Sequence, residues 1–342
     1  LISWNHFNPT SALSLGDKFY RGYYWWNHYS YFKQIDYQNN RNRLFGDLNF
    51  TYKVNDHFSM KAYYRKNQVS TFYENKRPSI LPYSFNTELR PTDQSQYDYY
   101  GTGQILQSED NMEFLAEYNN RFFGNRLSVD AMFGANLRKD SYQELQAGTV
   151  DGLVVQDLFT LSNSRKQPFS SSNYRSKKEV RSLYARGSFG YNGFLYVDWS
   201  ARNDWSSALP AGNNSYFYPS LGTSFVFSEL TRSALPWLSL GKVRASAAQV
   251  GSDLGPYQLA LLYGVGSDQW NGNIITGTPN ELVDPGIKPA LSTAREVGLD
   301  LRFLQSRIGL SATYYNENKK NEILSVPVTG ASGFTSKKIN AG

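Results

Sequence analysis

The stretch Leu195-Tyr-Val-Asp-Trp-Ser-Ala-Arg202 decides the fold. Leu195, Val197, Trp199 and Ala201 are apolar, while Asp198, Ser200 and Arg202 between them are polar. A strand turns successive side chains to opposite faces, so this segment has one greasy face and one charged face. The same period recurs along the chain. Leu127, Val129, Ala131 and Phe133 alternate with Ser128 and Asp130; Leu183, Ala185 and Phe189 alternate with Arg186 and Ser188. Val297, Leu299, Leu301 and Phe303 interleave with Glu296, Asp300 and Arg302, and Ile308, Leu310, Ala312 and Tyr314 with Ser311 and Thr313. Near the start, Leu44, Leu48, Phe50 and Tyr52 oppose Asp47, Asn49 and Thr51. These segments run to about ten residues, the length a tilted strand needs to cross a bilayer core. Strands of soluble sheets average about six.

The connections alternate in length. Val54-Asn-Asp56, Gly124-Asn125, Asn192-Gly193 and Gln305-Ser306 read as tight turns, and Asn-Gly suits a type I′ hairpin. Polar, Gly- and aromatic-rich stretches at 66–111, 137–179, 204–216 and 250–293 read as long loops. Short periplasmic turns and long extracellular loops are the asymmetry of outer-membrane barrels. Soluble domains rarely hold several structureless loops beyond about 15 residues. The expected fold is therefore all-β, an antiparallel transmembrane β-barrel with roughly ten strands here. An open edge in lipid leaves backbone groups unpaired, so these strands belong to a larger, even-numbered barrel. A soluble sandwich or propeller would also alternate. It explains neither the strand length nor Trp199 in an apolar face.

Composition agrees. Phe, Trp and Tyr make up 16% of the 342 residues, with 26 Tyr, and such rings suit membrane interfaces. Mean hydropathy is −0.54, and no run of about 18 apolar residues writes a transmembrane helix. Cys is absent. The net charge of +6 is scattered, with only short clusters such as Arg175-Ser-Lys-Lys178, which argues against a nucleic-acid partner. The first residues, Leu1-Ile-Ser-Trp4, lack the pattern of a signal peptide. The chain is expected to be an internal piece of a longer protein.

A more specific signal lies toward the end. Asp284-Pro-Gly-Ile-Lys-Pro289, Glu296-Val-Gly-Leu-Asp-Leu-Arg302 and Gln305-Ser-Arg-Ile-Gly-Leu-Ser-Ala-Thr-Tyr-Tyr315 stand in succession. Asn321-Glu-Ile-Leu-Ser-Val-Pro327, Ser332-Gly-Phe-Thr-Ser336 and Asn340-Ala-Gly342 follow. Upstream stand Arg41-Asn-Arg-Leu-Phe-Gly46, Asn213-Asn-Ser-Tyr-Phe-Tyr-Pro-Ser220, and Trp237-Leu238 leading into Lys242-Val-Arg-Ala-Ser246. From about Asn40 to Gly342 the chain resembles the SusC/RagA-type TonB-dependent outer-membrane transporters. Many members carry Arg-Asp-Gly-Ser-Ser where this chain has Arg202-Asn-Asp-Trp-Ser-Ser207. The resemblance implies that 1–342 is the middle of such a barrel, of about 22 strands, with plug domain, TonB box and closing strands outside it. It also implies import of oligosaccharide or peptide, TonB as energy source, and a SusD-like surface lipoprotein as lid.

Enzyme signals are poor, and no catalytic activity is expected. His6, His28 and His57 are far apart, with no Cys or His-Glu-x-x-His, so neither a metal nor another cofactor is expected. No Gly-x-Ser-x-Gly elbow is present. The Gly101-Thr-Gly103 and Gly264-Val-Gly266 pairs lack the rest of a nucleotide fingerprint. A rim hydrolase built on His57 or His28 is the weakest alternative. A non-transporting barrel that docks other envelope proteins is the stronger one.

Inward faces are expected to carry Asp47, Lys61, Arg65, Glu113, Glu117, Asp130, Arg186, Asp198, Arg202, Glu296, Asp300 and Arg302, because charge facing lipid is costly. Most of these should pair across strands. Candidate substrate contacts are loop aromatics and amides, with Arg186 and Arg202 from the lumen. They are Tyr97, Tyr99 and Tyr100; Trp205 with Tyr216; and Tyr263 and Trp270 with Asn271. Aromatic faces stack on sugar rings or apolar side chains, and amides bond hydroxyls or peptide groups.

Overall fold

A computed structural model describes residues 35–78 and 98–341. Its strands are β1 (Asp36–Lys53), β2 (Phe58–Arg77), β3 (Tyr99–Phe122), β4 (Leu127–Leu153), β5 (Ser164–Tyr191), β6 (Leu195–Ser206), β7 (Ser215–Val226), β8 (Leu238–Ser252), β9 (Gly264–Trp270), β10 (Asn273–Gly277), β11 (Glu281–Val283), β12 (Ala290–Phe303), β13 (Ile308–Lys320), β14 (Glu322–Pro327) and β15 (Ser336–Ala341). Ten of them form one sheet in the order β1-β2-β3-β4-β5-β6-β7-β8-β12-β13. Neighbours in that sheet are neighbours in the chain, apart from the excursion between β8 and β12. Every expected tight turn joins such a pair. Asn192 and Gly193 both have positive φ, 48° and 72°, as a type I′ hairpin requires.

Strand length differs from the sequence reading. β3, β4 and β5 span 24, 27 and 28 residues. Nearly all of the described parts of 66–111, and most of 137–179, read above as loops, are strand: β2 runs on to Arg77, β3 starts at Tyr99, β4 runs on to Leu153, and β5 starts at Ser164. Beyond the lipid both faces meet water, so alternation lapses while backbone pairing continues. The stretch 250–293 also holds short strands, β9 to β11.

The described residues divide into two compact units, one of 35–45, 67–78, 98–109 and 141–176, the other of 46–66, 110–140 and 177–341. In the second, register writes the two faces directly. Phe189 lies opposite Val197, Val197 opposite Thr223, Thr223 opposite Ala245, Ala245 opposite Val297, and Val297 opposite Tyr314. One residue along, Ser188, Asp198, Gly222, Ser246, Glu296 and Tyr315 make the matching row on the other face. A single sheet has no second layer to bury its apolar face. Val297, Leu221 and Leu310 remain 54%, 57% and 57% exposed in the chain alone. Such a surface would be an aggregation hazard in water, and it is the surface that lipid covers.

Glycine is required where a ring crosses the sheet. The Trp199 indole lies over Gly187, where a Cβ would collide with Nε1. At the chain's far end, β11, β15 and β14 form a separate small sheet. There a hydrogen bond from Ser325 and the ammonium of Lys338, 3.1 Å away, hold the Glu281 carboxyl below its usual range.

Candidate functional site

The polar face of the second unit is a wall of cross-strand pairs. Lys61 on β2 meets Glu117 on β3 at 2.7 Å, and Arg65 meets Glu113 at 2.7 Å. Glu113 also accepts a short hydrogen bond from Tyr184 on β5. The Arg202 guanidinium sits 5.3 Å over the Tyr184 ring, donates to Asp204 at 2.8 Å and to Ser182 Oγ at 2.9 Å. Tyr218 donates to the other oxygen of Asp204 at 2.6 Å. Further round, Arg244 pairs with Glu296, lies 3.5 Å from Asp300 and donates to Thr313 at 2.6 Å. These are the partners a polar lumen wall needs where side chains crowd, and they lock its rotamers.

One part of the wall differs. Asp130, Arg186 and Asp198 are exposed and have no partner among the described residues. They border a concavity of about 700 Å³ that is also lined by small residues, including Ser188, Ser200, Ser220, Gly222 and Ser246. Two carboxylates, one guanidinium and several hydroxyls on this floor can recognise polar groups of a ligand without obstructing it.

The first unit contains a second concavity that the sequence did not disclose. The Tyr73 ring occupies the space a Cβ would take at Gly103, and the Tyr99 ring that at Gly101 and Gly148, so the three glycines make room for the two rings. Together with Tyr37, Asn75 and Gln146 they line a cup of about 230 Å³. Tyr73 donates to Gln146 Oε1 at 3.1 Å, and the Arg77 guanidinium stands 5.6 Å from the Tyr99 ring. Asn75 Oδ1 is buried without a hydrogen-bond partner among the described residues. Ring faces beside a spare amide acceptor suit a sugar hydroxyl or a peptide N–H.

The structure separates the sequence candidates. Tyr97 lies outside the described residues. Tyr99 forms part of the cup, whereas Tyr100 is tied to Glu74 at 2.7 Å and to Thr149 through its backbone. Arg186 borders the floor, and Arg202 is held within the wall. Tyr216 is buried, 8% exposed, and stacked on Tyr218 at 5.9 Å. Trp205, grouped above with Tyr216, is corrected by strand parity. It pairs with Arg181 and Ser215, on the face opposite Arg202 and Asp204. Tyr263 and Trp270 are 70% and 73% exposed, with Asn271 at the β9–β10 turn. Tyr73, Asn75 and Gln146 were missed because they come from strands read as loops. His57 Nδ1 lies 3.1 Å from the Asn119 carbonyl, a turn contact.

Comparison with known proteins gives a consistent result. The family model "TonB dependent receptor-like, beta-barrel" matches residues 2–342. TonB-dependent receptor P3 of Formosa agariphila is 25% identical over 238 residues, 64% of this chain and 23% of its own length. Among solved structures, a chain of the RagAB peptide transporter superposes with a TM-score of 0.78 at 18% identity, over 92% of this chain and 34% of its own. The ferric-catecholate import receptor Fiu from K12 E. coli superposes with a TM-score of 0.50 at 13% identity, over 83% of this chain and 42% of its own. The chain thus spans a quarter to under half the length of these relatives.

Proposed function

Because this chain belongs to the TonB-dependent receptor-like β-barrel family of the bacterial outer membrane, we propose that it forms part of the wall of a TonB-energised nutrient importer. The cargo is an oligosaccharide or a peptide, and a SusD-like surface lipoprotein closes over the barrel. No catalytic step is assigned to it. The observation that carries this reading is the two-faced sheet with Arg186, Asp130 and Asp198 on its polar side, none of them with a partner among the described residues. Charges left without protein partners on a lumen wall are available to a ligand or to a segment of the protein that fills the barrel. The peptide transporter among the structural relatives supports peptide as one cargo class. The tyrosine rings of the cup and the amides of Asn75 and Gln146 serve either class. The exposed Tyr263 and Trp270 supply the apolar surface a lid needs.

The test is growth of cells carrying the full-length protein on oligosaccharide digests or peptide digests as sole carbon source. One of the two digests should support growth that is lost in a TonB-deleted strain. Tyr99→Ala should slow that growth without lowering the amount of protein in the membrane. Growth on both digests that ignores TonB would remove the import reading and leave the docking role.

A further inference from the structure

At the upper margin of the apolar band, toward the long connections, the outward face changes character. Tyr64 and Lys66 on β2 both bond Asp110 on β3, at 2.7 and 3.1 Å. Lys139 on β4 and Arg181 on β5 both reach Glu179, at 3.7 and 2.7 Å. Just beneath those cations lies a groove of about 650 Å³, walled by Met112, Phe114, Leu137, Leu183 and Trp205. These side chains stand on the lipid-facing side, since Leu183 and Trp205 share the face of Phe189 and Val197. The groove belongs to strands in the body of the sheet, away from its edges at β1 and β13.

We propose that this groove is a binding site for one phosphorylated glycolipid of the outer leaflet, of the lipid A type. An acyl chain fills the apolar trough and the headgroup phosphate bridges Lys139 and Arg181. Charge sets the choice. Two cations share one carboxylate, leaving an excess of one positive charge. Their side chains are 55% and 73% exposed, so a phosphate reaches them without disturbing the fold. Arg181 holds Glu179 through Nε alone, which leaves its terminal amino groups for a bidentate contact with phosphate. Trp205 at the margin has the amphipathic ring that settles at headgroup depth. The proposal stands on the family's membrane location and does not require the import reading.

The test uses full-length protein extracted from outer membranes and reconstituted in nanodiscs containing lipid A, phosphatidylglycerol and phosphatidylcholine. The lipid retained after a fixed detergent wash is then measured by native mass spectrometry. The native protein should keep lipid A in preference to both phospholipids. Lys139→Ala with Arg181→Ala should lower retention at least about tenfold. Leu183→Trp, which fills the trough, should lower it as well. Arg295→Ala, an exposed outward residue on β12, should leave it unchanged. Heat-dependent migration on gels verifies that each variant is folded. Equal retention by the double variant, or equal retention of phosphatidylglycerol and lipid A by the native protein, would overturn the proposal.

Discussion

Val197→Arg is expected to destabilise the barrel by about 1–2 kcal/mol, because Val197, the third residue of β6, lies between the midplane, where a lipid-facing cation costs most, and the interface beside the short turn. Val197 lies between Phe189 and Thr223 on the outward row, with no carboxylate on that row to receive the new charge. Ser188→Arg, one step away on the opposite face, is the matched control. It pairs with Asp198, which has no partner among the described residues, so its effect should stay within about 0.5 kcal/mol. Urea unfolding of the full-length protein in lipid vesicles measures both. Equal costs for the two would mean that the faces have been assigned without physical basis.

The second large effect falls on the polar wall. Asp204→Leu should destabilise by about 2 kcal/mol and increase local mobility. Asp204 is 5% exposed and takes hydrogen bonds from both Arg202 and Tyr218. Its loss leaves a guanidinium and a phenol without their acceptor. Arg202 is 38% exposed, so water recovers part of the cost, which keeps the figure below that of a fully buried pair. Asp204→Asn keeps one acceptor oxygen and should recover part of the loss. A leucine variant as stable as the native protein would show that the wall does not depend on this cluster.

Much of the fold was legible in the sequence because one face of each strand answers to lipid. Leu195, Val197 and Trp199 had to be apolar together, and Asp198 and Arg202 had to oppose them. The tight turns were legible where positive φ restricts the residue, as at Asn192-Gly193 and Gly124-Asn125. The upper halves of β2 to β5 were not legible. With water on both sides nothing enforces alternation, and 137–179 reads as loop although most of it pairs. The same loss of signal hid the tyrosine cup. Tyr73, Tyr99 and Gln146 are far apart in the chain, and only strand register brings them together. Trp205 was misgrouped for a related reason. Parity decides its face, and parity was lost where the strand was taken to end.

The most direct test uses the absence of cysteine from these 342 residues, with any cysteine elsewhere in the full-length protein first replaced by serine. Single cysteines at Ser188, Val197, Trp199, Ser200 and Leu299 of the full-length protein in vesicles would each carry a spin label. Collisions with oxygen, which dissolves in lipid, are compared with those of a water-soluble nickel chelate. Labels at 197, 199 and 299 should favour oxygen, and labels at 188 and 200 the chelate. A profile without that alternation, or with its sense reversed, would contradict the assignment of one face to the bilayer and the other to water.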